Sequence, residues 1–372
     1  MAGRRVSLRS AGLDRPRWGL SLGYTRAGPD TEENLHTMRT PSRFAVALAL
    51  TGVLIAACSG AATPIPSPSP AASVAAASPE ASPSPAASPS PAAAASPSPS
   101  PDPCAPANLT TLTAGTLTIG TDNPAYPPYY AVPATGNAPK PWQLGDPTNG
   151  QGFESAFAYA LAAKLGFAKD KVTWTVVPFD SSYAPGAKKF DLDVNQVSYT
   201  PERATAVDMS DGYYFLSQSV VALKTSPLAK VTSIAALKAY RFGAQLGTTS
   251  YDTIQNVIQP TAKTSVYSSN DDAISALKAK QIDGLVVDLP TAFYVTAAQI
   301  TDAKGNALAN IVGQFPVQAG ANAEHFSAVL AKGSPLTACV NGAIAAMKAD
   351  GSLDQITKTW LSDKADAPIF AP

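Results

Sequence analysis

From Ala61 to Pro103 the chain is almost entirely Ala, Ser and Pro, as in "SPSPAASPSPAAAASPSPSPDP". Such a tract lacks the large apolar side chains whose burial offsets ordering entropy, so no core forms within it. It is a spacer, partly polyproline-like, with a reach on the order of 100 Å at about 3.1 Å per residue. Any fold must be built outside it. Residues 1–57 lie ahead of the spacer region (58–107), and a body from about Asn108 to Pro372 lies behind it. The chain's 372 positions suggest two or three domains, and its 45% hydrophobic and 15% charged residues indicate a globular body plus something low in charge.

The segment ahead of the spacer reads "MRTPSRFAVALALTGVLIAACSG". Arg39 and Arg43 precede an apolar run from Phe44 to Ala57 that is short for a bilayer span and ends in Ile55-Ala56-Ala57-Cys58. This is the pattern of a secretory signal, and its last four residues resemble a bacterial lipobox. The resemblance implies cleavage before Cys58 and lipid attachment to it, two or more acyl chains giving a stable anchor. An uncleaved anchor is the other reading. Met1 to Thr37 show no periodic apolar pattern, and Met38 is a more ordinary start for such a signal. Arg4-Arg5 also reads as a twin-arginine signal, although the apolar run lies far downstream.

Removing Met1 to Ala57 takes 8 arginines and 4 acids out of a balance of 27 against 27, leaving 19 basic and 23 acidic residues. A mildly acidic body without a basic stripe argues against nucleic acid and against an electrostatic membrane surface. If Cys58 carries lipid, Cys104 and Cys339 remain as an even pair in an oxidising compartment, where a disulfide is the default and two buried thiols the alternative.

The body alternates strand and helix signals, the pattern of a parallel or mixed sheet flanked by helices. "GTLTIGTD" reads as strand and turn. "GFESAFAYALAAKLG" sets Phe153, Phe157, Leu161 and Leu165 on one helical face, with Gly166 as the stop. "KVTWTVVPF" and "FDLDVNQVS" follow as strands, then a helix capped by Thr200 with Pro201 at its first position. A second unit repeats this pattern through "SQSVVALK", "SIAALKAY", "RFGAQLG", "DDAISALKAKQ", "DGLVVD" and "LPTAFYVTAA". "HFSAVLAKG", "SPLTACVNGAIAAMKADG" and "SLDQITKTWL" add a strand and two helices.

Arg203 falls in the first turn of the Thr200 helix, where a cation opposes the helix dipole. It is either a solvated surface arginine or, with Ser198, Thr200 and free backbone N–H groups, a grip for a carboxylate or phosphate. "LGTTS" is a strand-to-helix turn with similar free N–H groups. Asp288 ends a strand before Pro290, which suits either a ligand site at the strand's carboxyl end or a helix cap.

Five stretches in order, "LTIGTDNPAYPPYY", "GFESAFAYALAAKLG", "DLDVNQVSYTPERATAVDMSDGYY", "FGAQLGTTSYDTI" and "IDGLVVDLPTAFY", resemble the extracellular solute-binding protein family 3, the amino-acid receptors of ABC importers. The resemblance covers nearly all of Leu109 to Leu361. It implies an α/β, two-lobed periplasmic-binding-protein-like fold of type II, with two hinge strands joining the lobes. Lobe one is expected over 108–219 plus 315–372 and lobe two over 220–314, the chain crossing near Val220 and Gln314. In that frame Cys104 and Cys339 tie the entry of lobe one to its penultimate helix.

Carried over residue by residue, Arg203 matches the arginine that grips the ligand's α-carboxylate and Ser198 a hydroxyl donor, while Thr249, after Thr248, matches the donor of the second lobe. Asp288 matches the acid for the α-ammonium. Tyr126 and Phe179 match aromatic walls around the ligand side chain, and each also reads as plain core. Asp122 and Gln245 fall where side-chain selectivity is set, the first suiting a cation and the second an amide. The chain departs from the family pattern at Asn195 and Gln196, where small residues are usual and side-chain amides are expected to replace backbone donors. It departs again at Pro185-Gly186, which interrupts a usual helix, and in the long loop Gly136 to Gln151, whose Trp142 either lines the mouth or plugs the lobe.

The expectation is a lipid-anchored, monomeric receptor on the outer face of the cytoplasmic membrane that captures a polar amino acid for a permease, without cofactor or metal. Enzymatic turnover is poorly supplied. The body holds one histidine, His325, no G-x-S-x-G elbow and no Walker motif, and its paired acids Asp191/Asp193 and Asp208/Asp211 read as strand or turn residues. A dehydratase-like enzyme and a sensory ligand-binding protein are the alternatives.

Overall fold

The computed structural model describes residues 102–317, 320, 323–361 and 367–372. The signal segment, Cys58 and nearly all of the spacer lie outside the described residues. The strands are β1 (Leu117–Thr121), β2 (Val172–Val176), β3 (Leu192–Asp193), β4 (Asp208–Met209), β5 (Tyr214–Phe215), β6 (Gln218–Leu223), β7 (Phe242–Gln245), β8 (Ser265–Tyr267), β9 (Gly284–Asp288), β10 (Ala309–Gln314), β11 (His325–Phe326) and β12 (Val329–Leu330). They form two five-stranded sheets in the orders β2-β1-β3-β12-β4 and β10-β6-β9-β7-β8, with β11 and β5 as a separate ribbon. In the first sheet β1, β2 and β3 run parallel; in the second β7, β8 and β9 do, and β6 and β10 pair antiparallel. Each sheet carries helices, giving a two-lobed α/β fold.

The first lobe is built on α1 (Phe153–Lys164), whose Phe153, Phe157 and Leu161 are fully buried against Leu117, Ile119 and Leu192 of the sheet. The 3.6-residue period of these side chains produces this face. Gly166 ends the helix at φ 84, a conformation that disfavours side chains, and a Cβ there would meet Pro106. Trp142 is 4% exposed within this core, so it plugs the lobe and does not line the mouth. Two C-terminal helices, α8 (Thr337–Ala349) and α9 (Ser352–Leu361), complete the core, and Cys339 of α8 is bonded to Cys104.

The second lobe buries both faces of its sheet, which is why its strands read as unbroken apolar runs. Val220, Ala222 and Val286 face one cluster while Val221, Leu285 and Val287 face another, the alternation of a pleated strand. The first cluster packs on α4 (Ile234–Leu237) and α5 (Thr249–Thr253); the second packs on α6 (Asn270–Lys278) and α7 (Leu289–Tyr294).

Three expectations need correction. The second sheet starts at Gln218, ahead of the boundary at Val220. The tail Ala367–Pro372 and Phe315, expected with lobe one, pack on lobe two. Phe370 is 2% exposed with its ring 5.3 Å from that of Phe315, and its N–H donates to the Gln314 carbonyl. Burial of this aromatic pair decides the placement. The helix expected from Pro201 is a single turn, α3 (Arg203–Ala206), since Val207 turns extended to feed β4; Thr200 Oγ1 still caps the Arg203 N–H at 3.1 Å.

Candidate functional site

All ten residues singled out for ligand contact line one cavity between the lobes: Asp122, Tyr126, Phe179, Gln196, Ser198, Arg203, Gln245, Thr248, Thr249 and Asp288. The fold explains the convergence. Asp122 and Tyr126 follow β1, Phe179 opens α2 (Phe179–Tyr183) after β2, and Gln196, Ser198 and Arg203 follow β3. Across the cavity, Gln245 ends β7, Thr248 and Thr249 open α5, and Asp288 ends β9. Two sets of strand carboxyl ends thus face each other, where α/β sheets collect ligands.

Arg203 is 8% exposed. Its Nη1 donates to the Ser198 carbonyl at 2.6 Å, its Nη2 reaches the other lobe at the Gly247 carbonyl at 2.7 Å, and its guanidinium lies 4.3 Å from the Tyr183 ring centre. Gly247 is required there: its φ is 73, and a Cβ would approach the Tyr183 hydroxyl to 2.7 Å. Burial pushes the Arg203 guanidinium down from its ordinary pKa, with Tyr183 opposing the shift. Among the described residues no carboxylate lies within 4 Å of it to form an ion pair. A buried cation bonded only to neutral groups is suited to an arriving anion.

Asp288 caps α7. It accepts the Thr291 N–H at 2.9 Å and the Thr291 hydroxyl at 2.9 Å, and it takes a short bond from the Tyr129 hydroxyl of lobe one. Burial raises its pKa, and these bonds oppose the rise. Capping and exposure to the cavity therefore coexist at one side chain. Thr248 caps α5, accepting the Tyr251 N–H at 3.2 Å. Burial likewise raises Asp122, against backbone bonds from Asn123 and Phe179. Tyr126 is raised by burial and by a bond with Asp271.

Gln196 sits at φ 51, rare for a non-glycine residue. The fully buried Glu154 holds it there, accepting its backbone N–H at 2.8 Å and its side-chain amide. Sequence reasoning placed Glu154 only on a helix and did not find this role. It also missed Gln218, whose place opposite Asp288 in the ladder aims its amide into the cavity, and Glu324. Glu324 Oε1 accepts from Ser198 Oγ at 2.9 Å, Gln218 Nε2 at 2.9 Å and Thr249 Oγ1 at 2.6 Å. No local pattern marks either residue.

A family model described as bacterial extracellular solute-binding proteins, family 3, matches residues 117–363. ABC transporter arginine-binding protein 1 of Escherichia coli (strain K12) is 31% identical over 211 residues, covering 56% of this chain and 81% of that protein. The glutamine-binding protein GlnH of Bacillus subtilis (strain 168) is 27% identical over 225 residues, 59% of this chain and 77% of that protein. Among solved structures, an ancestral arginine-binding protein bound to glutamine is 28% identical with a TM-score of 0.52, covering 67% of this chain and 98% of that one. Family match, two-lobed fold and cleft coincide over the same residues, and the chain belongs to the bacterial extracellular solute-binding proteins of family 3.

Proposed function

We propose that the protein captures a free polar amino acid between its lobes and delivers it to the membrane permease of an ABC importer. The observation that carries this is the buried guanidinium of Arg203, with no ion-pair partner among the described residues, lining the same cavity as Asp288 of the other lobe, so that a cation and an anion are both available to an amino-acid backbone. Asp122 and Gln245, with Tyr126 and Phe179 as walls, are left for the side chain. Relatives named for arginine, cystine and glutamine support a polar side chain. Cys58 is the proposed lipid attachment point, holding a monomer at the outer face of the cytoplasmic membrane. No described helix is long and apolar enough to cross a membrane.

Calorimetry against the twenty amino acids tests the reading. Truncating one partner of a buried charge pair costs about 2 to 5 kcal/mol, so Arg203→Ala and Asp288→Ala should each weaken the best ligand by roughly 30-fold to several thousandfold. An analogue without the carboxylate should be indifferent to Arg203→Ala, and one without the amine to Asp288→Ala. Binding within about threefold of wild type in both variants refutes the assignment.

A further inference from the structure

Glu324 makes contacts that an arriving ligand would need. It lies between β10 and β11, and its own carbonyl is held by the Leu216 N–H at 3.1 Å. Its Oε1 collects the hydroxyls of Ser198 and Thr249 and the Gln218 amide, so a single carboxylate oxygen joins lobe one to lobe two. Ser198 and Thr249 are the two hydroxyls assigned above to the ligand's carboxylate. A hydroxyl has one proton to donate, and both already point theirs at Glu324. A second carboxylate on the same hydroxyls would also set two like charges within hydrogen-bond reach.

We propose that Glu324 is an internal stand-in for the ligand's carboxylate: in the unliganded protein it clasps Ser198 and Thr249 across the cleft, and the ligand must displace it. This rests on the reading of the cleft as an amino-acid site gripped at the carboxylate. Glu324 then sets affinity for carboxylates from inside the protein, because only molecules in which it has let go have the Ser198 and Thr249 hydroxyls free for a ligand's carboxylate. If the clasp holds about nine molecules in ten, the apparent affinity is lowered on the order of tenfold.

The test uses Glu324→Gln, which removes the charge, and Glu324→Asp, which keeps the charge on a side chain too short to span both hydroxyls. Spin labels on the two lobes, read without ligand, should show both variants shifted to longer interlobe distances than wild type. Calorimetry with arginine should show both variants binding on the order of tenfold tighter, while agmatine, arginine without its carboxylate, changes by less than about twofold. Thermal melts confirm that each variant is folded. Unchanged interlobe distances, or weaker arginine binding in Glu324→Gln, overturn the proposal. If wild type binds no amino acid, the amino-acid reading falls while the interlobe distances still decide whether the clasp exists.

Discussion

Glu154 shows how one buried side chain shapes the site and ties stability to pH. It accepts the Tyr213 hydroxyl at 2.5 Å and both N–H groups of Gln196, and burial still raises its pKa from 4.5 to about 7. A raised acid pKa means that the folded chain holds a proton the unfolded chain has released between those two values. Its contribution is complete below about pH 4.5 and is lost as pH rises to about 7. At about 1.4 kcal/mol per pH unit, the loss totals about 3 kcal/mol. Asp193, fully buried with no hydrogen-bond partner among the described residues for either carboxylate oxygen, is raised too and adds a slope of the same sign. Urea midpoints from pH 4.5 to 8 should therefore fall in wild type and fall less steeply, by one proton's worth, in Glu154→Gln. Equal slopes would show that burial does not shift the Glu154 pKa between the folded and unfolded chains.

At the level of elements, the lobes are joined by more than their connecting strands. After α9 the chain returns to the second sheet, where Ile369 bridges Gln314 and Ala371 bridges Ser233. Gly313 of β10 makes room for this, since a Cβ there would come within 2.9 Å of the Phe370 ring. Phe370→Ala should destabilise the protein by about 3 to 5 kcal/mol, the usual range for a buried phenylalanine, with an unchanged denaturant slope. A cost below about 1 kcal/mol would show that the tail does not pack on that sheet in solution. The Cys104–Cys339 bond closes a separation of 235 residues and fastens the end of the spacer to α8. Any pull along the spacer is therefore borne by the core of lobe one.

For the whole molecule, the proposed lipid anchor at Cys58 is the feature to test, and it lies outside the described residues. Cells fed labelled palmitate should label the protein, and Cys58→Ala should abolish the label and release the protein. Label persisting in that variant would remove the anchor. The two-lobed architecture was legible at this scale because strand and helix periods repeat twice and five family motifs occur in order. The side to which the tail returns was not legible, because "PIFAP" has no period of its own and gains its place only by burying Phe370 beside Phe315.

The sequence by itself determined the low-complexity spacer, the alternation of strands and helices, the buried face of α1, the cap at Thr200 and, through resemblance to the family's motifs, ten residues whose side chains line the cleft. These follow from local period, turn chemistry and motif order, which a linear chain displays directly. Tertiary structure alone decided that Trp142 is core, that Tyr183 stacks on Arg203, that Glu154 holds Gln196 in its left-handed conformation, and that Glu324 sits on the hydroxyls of the grip. The bond from Ser198 to Glu324 spans 126 positions, and that from Gln196 to Glu154 spans 42. Such pairings exist only once two sheets have closed on each other, and the residues that make them carry no local mark, since a glutamate on an apolar helix or in a loop reads the same whether it faces water or a buried hydroxyl.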